Sequence, residues 1–147
     1  MVRDVRFPLL LLLGLFVLLG PVWPALGGHT PLSWFENQHI LKKNLSCDKL
    51  MDDINNYRPG CKASNTFLHV SLQSVIDVCA LPTIPCKKIK GNICHRSRDL
   101  VPTTRCVIKN KRDSCIYNEF SKLAHVTVAC KRQFDSPLYP LLPFHLD

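Results

Sequence analysis

Three short strings of the sequence contain residue types that are suited to acid–base chemistry. The middle string is residues 61–67, Cys-Lys-Ala-Ser-Asn-Thr-Phe, in which Cys61 ties its neighbour Lys62 to the framework. A lysine fixed in this way is a candidate for stabilising an anion that develops during a reaction. Thr66 offers both a hydrogen-bond donor and an acceptor to a planar group. The string therefore predicts one side of a reaction site.

The other two strings each place a histidine next to a polar residue. Gln38 and His39 follow one another on a predicted helix, where neighbouring side chains are about 100° apart and both can border one cleft. His145 and Asp147 lie in a proline-rich segment that cannot be helical, and in an extended segment they point to the same side. A carboxylate placed in this way can orient an imidazole. The remaining histidines stand in no such string and are interpreted as surface or core residues: His29, His69, His95 and His125.

Helical and strand patterns occupy different halves of the chain. Three helices are predicted, over residues 31–41, 47–56 and 70–78. Ser33 is a candidate N-cap for the first of them, and the third has an apolar stripe formed by Leu72, Val75, Ile76 and Cys79. Three strands are predicted further along, over residues 101–108, 115–117 and 125–130. Helices first and strands later predict an α+β domain.

The first 27 residues have the pattern of a secretory signal peptide. A short, net-basic start precedes an apolar run at Leu9–Leu19, and small residues follow near Ala25 to Gly28. A membrane anchor is the alternative, but the run is short for a span, which takes about 20 residues. We therefore expect residues 1–27 to be removed and residues 28–147 to form one domain of a protein that is secreted or stored in granules or lysosomes.

The net charge of the predicted mature chain is strongly positive. Without residues 1–27 it keeps 17 Lys and Arg against 10 Asp and Glu, which is +7 with His neutral. A small basic secreted protein favours anionic partners, namely nucleic acid, acidic glycans or acidic membrane surfaces, and net charge does not choose among them. Separately, Asn44-Leu45-Ser46 matches the N-glycosylation sequon, so Asn44 is a predicted glycosylation site.

All eight cysteines lie in the predicted mature chain, at Cys47, Cys61, Cys79, Cys86, Cys94, Cys106, Cys115 and Cys130. An even number behind a signal peptide predicts four disulfides formed in an oxidising compartment. Zinc binding is the alternative, but the sequence has no Cys-x-x-Cys pair, so we predict no metal and no cofactor. The spacing of the cysteines does not select one of the many pairings.

Together, the three strings resemble the pancreatic-type ribonuclease superfamily. The pattern Cys-Lys-x-x-Asn-Thr-Phe is a specific signature of that family, and the resemblance covers nearly all of the mature chain, with eight cysteines in the same order. The string around Gln38-His39 and the closing His-Leu-Asp look most like the eosinophil and k6 branch. The resemblance implies an RNase A-like, bent α+β domain with three helices and an antiparallel sheet. It also implies the four bridges Cys47–Cys106, Cys61–Cys115, Cys79–Cys130 and Cys86–Cys94.

The resemblance implies an enzyme that cleaves RNA without a metal. The ribose 2′-hydroxyl attacks the adjacent phosphorus and expels the 5′-oxygen, which leaves a 2′,3′-cyclic phosphate. The reaction requires a base and an acid, and imidazole suits both roles because its unperturbed pKa is about 6.5. By resemblance His39 is the base, His145 is the acid, and Lys62 stabilises negative charge on the phosphoryl oxygens.

The resemblance also implies how the substrate is held. Gln38 donates to the phosphate, Asp147 holds the imidazole of His145, and Thr66 reads a pyrimidine. The implied substrate-binding residues are Gln38, Asn65, Thr66, Phe67, Lys87, Leu146 and Asp147. The implied partner is single-stranded RNA, bound by a monomer, with anionic microbial surfaces or glycans as further partners. Lys131 stands where pancreatic members have an acidic residue, so the preference for the second base stays open.

Two other functions compete with RNA cleavage. The first is a cationic host-defence protein that damages microbial membranes while its catalysis is incidental, which the eosinophil branch and the net charge favour. The second is an angiogenin-like secreted ligand, but angiogenins lack the pair that corresponds to Cys86 and Cys94. The leading hypothesis is a secreted, pyrimidine-preferring endoribonuclease with a host-defence role.

Overall fold

The computed structural model describes residues 30–41, 43–110, 112, 114–133 and 140–147. The predicted signal peptide, residues 1–27, lies outside the described residues. Pro31–Asp147 form one compact unit, which contains every element that follows. Within the described part of the chain, no helix has both the length and the apolar character that crossing a membrane requires.

The three predicted helices are present. They are α1 (Pro31–His39), α2 (Cys47–Asn55) and α3 (Leu72–Val78). Helix α1 begins at Pro31, since proline suits the first helical position, where its missing N–H breaks no bond. Ser33 therefore lies inside the first turn, and the prediction that it caps the helix is wrong. Helix α3 begins two residues later than predicted because the Ser71 side chain caps it by accepting from the amide of Ser74 at 3.1 Å.

Within the described residues, seven strands form two antiparallel sheets. The first sheet has the order β1-β4-β5, with β1 at Ser64–Leu68, β4 at Val101–Asn110 and β5 at Ile116–Ala124. The second has the order β2-β3-β6-β7, with β2 at Thr83–Ile84, β3 at Cys94–Arg96, β6 at Thr127–Lys131 and β7 at Leu142–Leu146. The predicted α+β class with three helices and antiparallel sheet is confirmed.

Two apolar clusters hold the helices to the sheets. Phe35 of α1 and Val75 of α3 pack with Leu68 and Val128 of the strands, and all four are almost fully buried. Met51 and Ile54 of α2 pack with a second group, which includes Phe67, Cys106 and Tyr117. Burying each large apolar side chain contributes roughly 1.5–3 kcal/mol. These clusters fix α1 beside β1 and β7, where the candidate site lies.

Four disulfides brace this arrangement, as predicted. They join Cys47 to Cys106, Cys61 to Cys115, Cys79 to Cys130, and Cys86 to Cys94, which are the pairs that the resemblance implies. The first attaches α2 to β4 and the third attaches the end of α3 to β6. The last closes a short loop, residues 86–94, that borders the candidate site.

Candidate active site

One cleft of about 770 Å³ is lined by residues from all three strings. Helix α1 packs against both β1 and β7, so the end of the helix stands between the middle string and the closing string. The helix is pinned there because the amide of Leu41 donates to the carbonyl of Leu68 at 3.0 Å. Gln38 and His39 therefore line the same cleft as Lys62 and His145.

His39 is held in a defined tautomer by a backbone carbonyl. Its Nδ1 donates to the carbonyl oxygen of Thr66 at 2.8 Å, and a carbonyl can only accept. The neutral ring therefore carries its lone pair on Nε2. Burial is the main cause that lowers the pKa of His39 to about 4; the positive charges of Lys62, His145 and Lys88 act in the same direction, and the hydrogen bond to the Thr66 carbonyl opposes them. A neutral imidazole with a free Nε2 is a competent general base.

Lys62 is fixed from its backbone to its ammonium group. Nζ donates to Oε1 of Gln38 at 2.9 Å and to Oδ1 of Asn65 at 2.8 Å, and the Asn65 amide donates in turn to the carbonyl of Gln38. The Lys62 carbonyl accepts from the hydroxyl of Tyr117 at 2.7 Å. Burial lowers the pKa of Lys62, as do the nearby charges of Arg58 and Lys88. Two of the three ammonium protons are used, which leaves one for an anion in the cleft.

His145 is held by the carboxylate of Asp147. The ring Nε2 lies 3.2 Å from Oδ1, so Nε2 donates and Nδ1 is the nitrogen that can exchange a proton with a ligand. The carboxylate also accepts from the amides of Lys87 at 2.7 Å and Lys88 at 2.8 Å. Burial raises the pKa of Asp147, but these two amides and His145 outweigh it and hold the pKa below its usual value. The loop closed by Cys86–Cys94 thus orients His145 through Asp147.

The other predicted substrate-binding residues separate into two groups. Gln38, Thr66, Lys87 and Leu146 line the cleft, and Asn65 lines it while supporting Lys62. Phe67 does not line it: its side chain is 2% exposed and packs in the α2 cluster. Successive side chains of a strand point to opposite faces, so Phe67 faces the core when Thr66 faces the cleft. The assignment of Phe67 to substrate binding is therefore corrected to a packing role.

The cleft also contains residues that lie outside the three sequence strings or carry no role in them. Lys88 lines it, and its charge lowers the pKa of both His39 and Lys62. His125 lines it as well, with its ring bonded to the carbonyl of Ser97. Phe144 lies next to His145 in the cleft, and Nζ of Lys131 sits 4.5 Å from the centroid of its ring. The only signal for Lys88 was its place in the lysine-rich loop after Cys86.

Comparison with known families decides the relationship. The family model described as "Pancreatic ribonuclease" matches residues 30–147. The chain belongs to the pancreatic ribonuclease family. The prediction of a pancreatic-type ribonuclease is thereby confirmed.

The chain is similar to several members of the pancreatic ribonuclease family over almost its whole length. It is 45% identical to Ribonuclease K6 of Pongo pygmaeus, with 96% of this chain and 95% of the relative covered. It is 40% identical to Eosinophil cationic protein 2 of Mus musculus, with 98% and 94% covered. It is 41% identical to Ribonuclease K3 of Sus scrofa, with 98% and 96% covered. These relatives confirm the predicted likeness to the k6 and eosinophil branch.

Proposed function

We propose that the chain is a secreted endoribonuclease that cleaves single-stranded RNA on the 3′ side of pyrimidines without a metal. The observation that carries the proposal is the pairing of histidines in one cleft. A half-buried imidazole with its lone pair on Nε2 and a carboxylate-oriented imidazole with Nδ1 left for a ligand border the same space as a fixed ammonium group. Such a set supplies a base, an acid and a positive charge for phosphoryl transfer.

The first step is a transphosphorylation. Nε2 of His39 accepts the proton of the ribose 2′-hydroxyl, and the 2′-oxygen forms a bond to the adjacent phosphorus. The bond from phosphorus to the 5′-oxygen breaks while Nδ1 of His145 donates its proton to that oxygen. The products are a 2′,3′-cyclic phosphate and a free 5′-hydroxyl. In the second step water replaces the 5′-oxygen, and the two histidines exchange roles.

Lys62 and Gln38 act on the charge that develops on the phosphoryl oxygens. The Lys62 ammonium keeps one proton beyond its two bonds, and the Gln38 oxygen accepts from Lys62, so the NH₂ of the same amide remains as the donor; both residues line the cleft. Both donors are fixed before substrate arrives, which avoids the cost of reorganising them in the transition state. Thr66 selects a pyrimidine with its backbone amide and hydroxyl. DNA binds without reaction because it has no 2′-hydroxyl.

The acidic limb of the pH–rate profile is expected to follow His39. The base works only when neutral, so kcat/KM stays high above the pKa of about 4 and falls as the pH drops through that value. An unperturbed imidazole would place the fall near about pH 6.5. The measurement is kcat/KM for the dinucleotide UpA as a function of pH, with circular dichroism at each pH to exclude unfolding. An acidic limb centred at the unperturbed value contradicts the effect of burial on His39.

Replacing Asp147 with asparagine is expected to lower kcat for UpA about tenfold and to leave KM nearly unchanged, because the amide orients His145 less well. Asp147 is a positioning residue, so the loss belongs to the chemical step rather than to binding. Steady-state kinetics of the parent and of Asp147→Asn test this. Asp77→Asn, on the exposed surface of α3, is the matched control. A rise in KM at constant kcat would assign Asp147 to binding instead.

A host-defence role, secretion and glycosylation are part of the same proposal. The similarity to a protein named Eosinophil cationic protein 2 and the net positive charge support host defence. The apolar pattern of residues 1–27 supports secretion after cleavage of the signal peptide. Asn44 is exposed, which a glycosylation site requires. We propose that defence depends on RNA cleavage. Bacterial killing is then expected to be lost in the His39→Ala variant, whereas killing that survives in this variant would indicate membrane damage by charge alone.

A further inference from the structure

Lys88 lies in the loop of residues 86–94, and its backbone is fixed beside the candidate site. The disulfide that joins the two ends of this loop restrains it. The amide of Lys88 donates to Oδ1 of Asp147 at 2.8 Å, and the same oxygen lies 3.2 Å from Nε2 of His145. The start of the Lys88 side chain is therefore held within two hydrogen bonds of His145.

Lys88 lines the cleft together with His39 and Lys62, and its charge acts on both of them. Burial is the largest cause that lowers the pKa of each of the two groups, and the positive charge of Lys88 acts in the same direction. Lys87 also lines the cleft, and its amide also donates to Asp147, but its charge is not a cause of either shift. Coulombic interactions weaken with distance. The ammonium group of Lys88 is therefore closer to His39 and Lys62 than that of Lys87 is.

The protons of the Lys88 ammonium group are available to a ligand. Within the described residues, Nζ of Lys88 makes no hydrogen bond or ion pair, so all three of its protons remain. Lys62 differs, because Gln38 and Asn65 accept two of its three protons. Lys88 is also exposed, so salt screens its charge, whereas Lys62 is half-buried. The cleft thus contains one fixed ammonium group and one that solvent reaches.

A phosphoryl group in the cleft gains from more than one cationic donor. As the 2′-oxygen bonds to phosphorus, negative charge grows on the two oxygens that do not bridge, and donors aimed at that charge lower the barrier. Lys62 has one proton left for these oxygens. We propose, on the basis of the proposed RNA cleavage, that the ammonium group of Lys88 is a second cationic donor to the scissile phosphate. In the free enzyme the same charge disfavours protonated His39, which extends the active range to lower pH.

The first test uses UpA, which has a single phosphate, so a flanking phosphate cannot contribute. Lys88→Gln removes the charge and keeps the backbone amide that donates to Asp147. At low salt this variant is expected to lower kcat/KM about 5- to 10-fold, with most of the loss in kcat, because the charge that Lys88 stabilises grows in the transition state. Lys88→Arg keeps the positive charge and is expected to retain the parent rate within about threefold. No loss in Lys88→Gln, or an equal loss in Lys88→Arg, overturns the proposal.

The matched control is Lys90→Gln in the same loop. Lys90 is exposed and is not among the described residues that line the cleft, so this variant changes the net charge equally without removing a donor from the site. It is expected to keep the parent rate on UpA within about twofold. UpApA adds one phosphate on the 3′ side. A loss in Lys88→Gln that occurs on UpApA but not on UpA would assign Lys88 to the flanking phosphate and overturn the proposal.

Salt and pH separate the charge of Lys88 from a structural role. The Debye length falls from about 10 Å at 0.1 M salt to about 3 Å at 1 M, so the rate ratio of parent to Lys88→Gln is expected to fall below about twofold in 1 M NaCl. The acidic limb of kcat/KM is expected to move to higher pH in Lys88→Gln, because a positive charge that opposes protonation of His39 is lost. Lys87→Gln is expected to leave this limb in place. A loss that does not depend on salt, with the limb unmoved, would mean that the substitution acts through the structure of the loop and would overturn the proposal.

Binding of the product 3′-UMP gives a readout that does not depend on cleavage. Its phosphate monoester carries close to two negative charges at pH 7, more than the diester of UpA. Its affinity and that of uridine, which has no phosphate, are measured by calorimetry at low salt. Lys88→Gln is expected to weaken 3′-UMP binding about 3- to 5-fold and to leave uridine binding unchanged. A parent that fails to cleave UpA refutes the proposed function, whereas an active parent with unchanged 3′-UMP binding in Lys88→Gln refutes only the role of Lys88.

Discussion

Replacing His39 with alanine is expected to lower kcat/KM for poly(C) by about 10³- to 10⁴-fold, near the upper end of what a general base contributes. His39 offers an Nε2 lone pair in the cleft that Lys62 also lines, because its Nδ1 is occupied by the Thr66 carbonyl. Loss of the ring leaves the 2′-hydroxyl with water as its base. The measurement is the initial rate of poly(C) cleavage with matched protein concentrations.

The control for this variant is a histidine outside the cleft. His69 is exposed and its ring bonds to the hydroxyl of Thr104, so His69→Ala is expected to keep the parent rate within about threefold. The thermal midpoints of both variants show whether either one loses folded protein. Poly(C) cleavage by His39→Ala at the parent rate would mean that another group removes the proton.

Replacing His145 with alanine is expected to give a loss of similar size on RNA, about 10³- to 10⁴-fold, for a different reason. His145 donates a proton to the leaving 5′-oxygen, and an alkoxide leaves slowly without it. A substrate whose leaving group needs no proton separates the two roles. On uridine 3′-(p-nitrophenyl phosphate), His145→Ala is expected to lose less than about tenfold, while His39→Ala keeps its full loss.

The comparison of leaving groups has its own control. Phe144→Leu changes the neighbour of His145 in the cleft and keeps both histidines, so its ratio of activities on the two substrates is expected to match the parent. Equal losses of His145→Ala on RNA and on the p-nitrophenyl ester would contradict the role of His145 as the acid. His145 and Asp147 would then bind the substrate without donating a proton to it.

The sequence predicts the helices better than the strands, and the reason is the range of the interactions. The helices follow local apolar periodicity, and all three are present. Strand β1 contains Ser64 and Asn65, which have low strand propensity, and it exists because it pairs with β4, about 40 residues away. Strand β7 includes Pro143 and is stable as an edge strand where the register with β6 shifts. Neither pairing is visible in a local pattern.

The sequence predicts which residues form the site better than it predicts the hydrogen bonds between them. The strings identify His39, Lys62 and His145, and the resemblance supplies their implied roles. The bonds from Lys62 to Gln38 and Asn65 depend on how α1 meets β1, which is a tertiary feature. The burial of Phe67 is also a tertiary feature, because it depends on packing in the α2 cluster. A residue of a family signature can be there for packing and not for contact with the substrate. Lys88 joins the cleft through the path of the 86–94 loop.

The central claim is that His39 and His145 act on the same phosphodiester in the same step. It is tested most directly by measuring UpA transphosphorylation by the parent, by His39→Ala, by His145→Ala and by the double variant in one assay. Each single variant is expected to lose about 10³- to 10⁴-fold, and the double variant is expected to lose little more than the worse single one, because both groups serve one transition state. Losses that multiply in the double variant, or a single variant that keeps the parent rate, would contradict it.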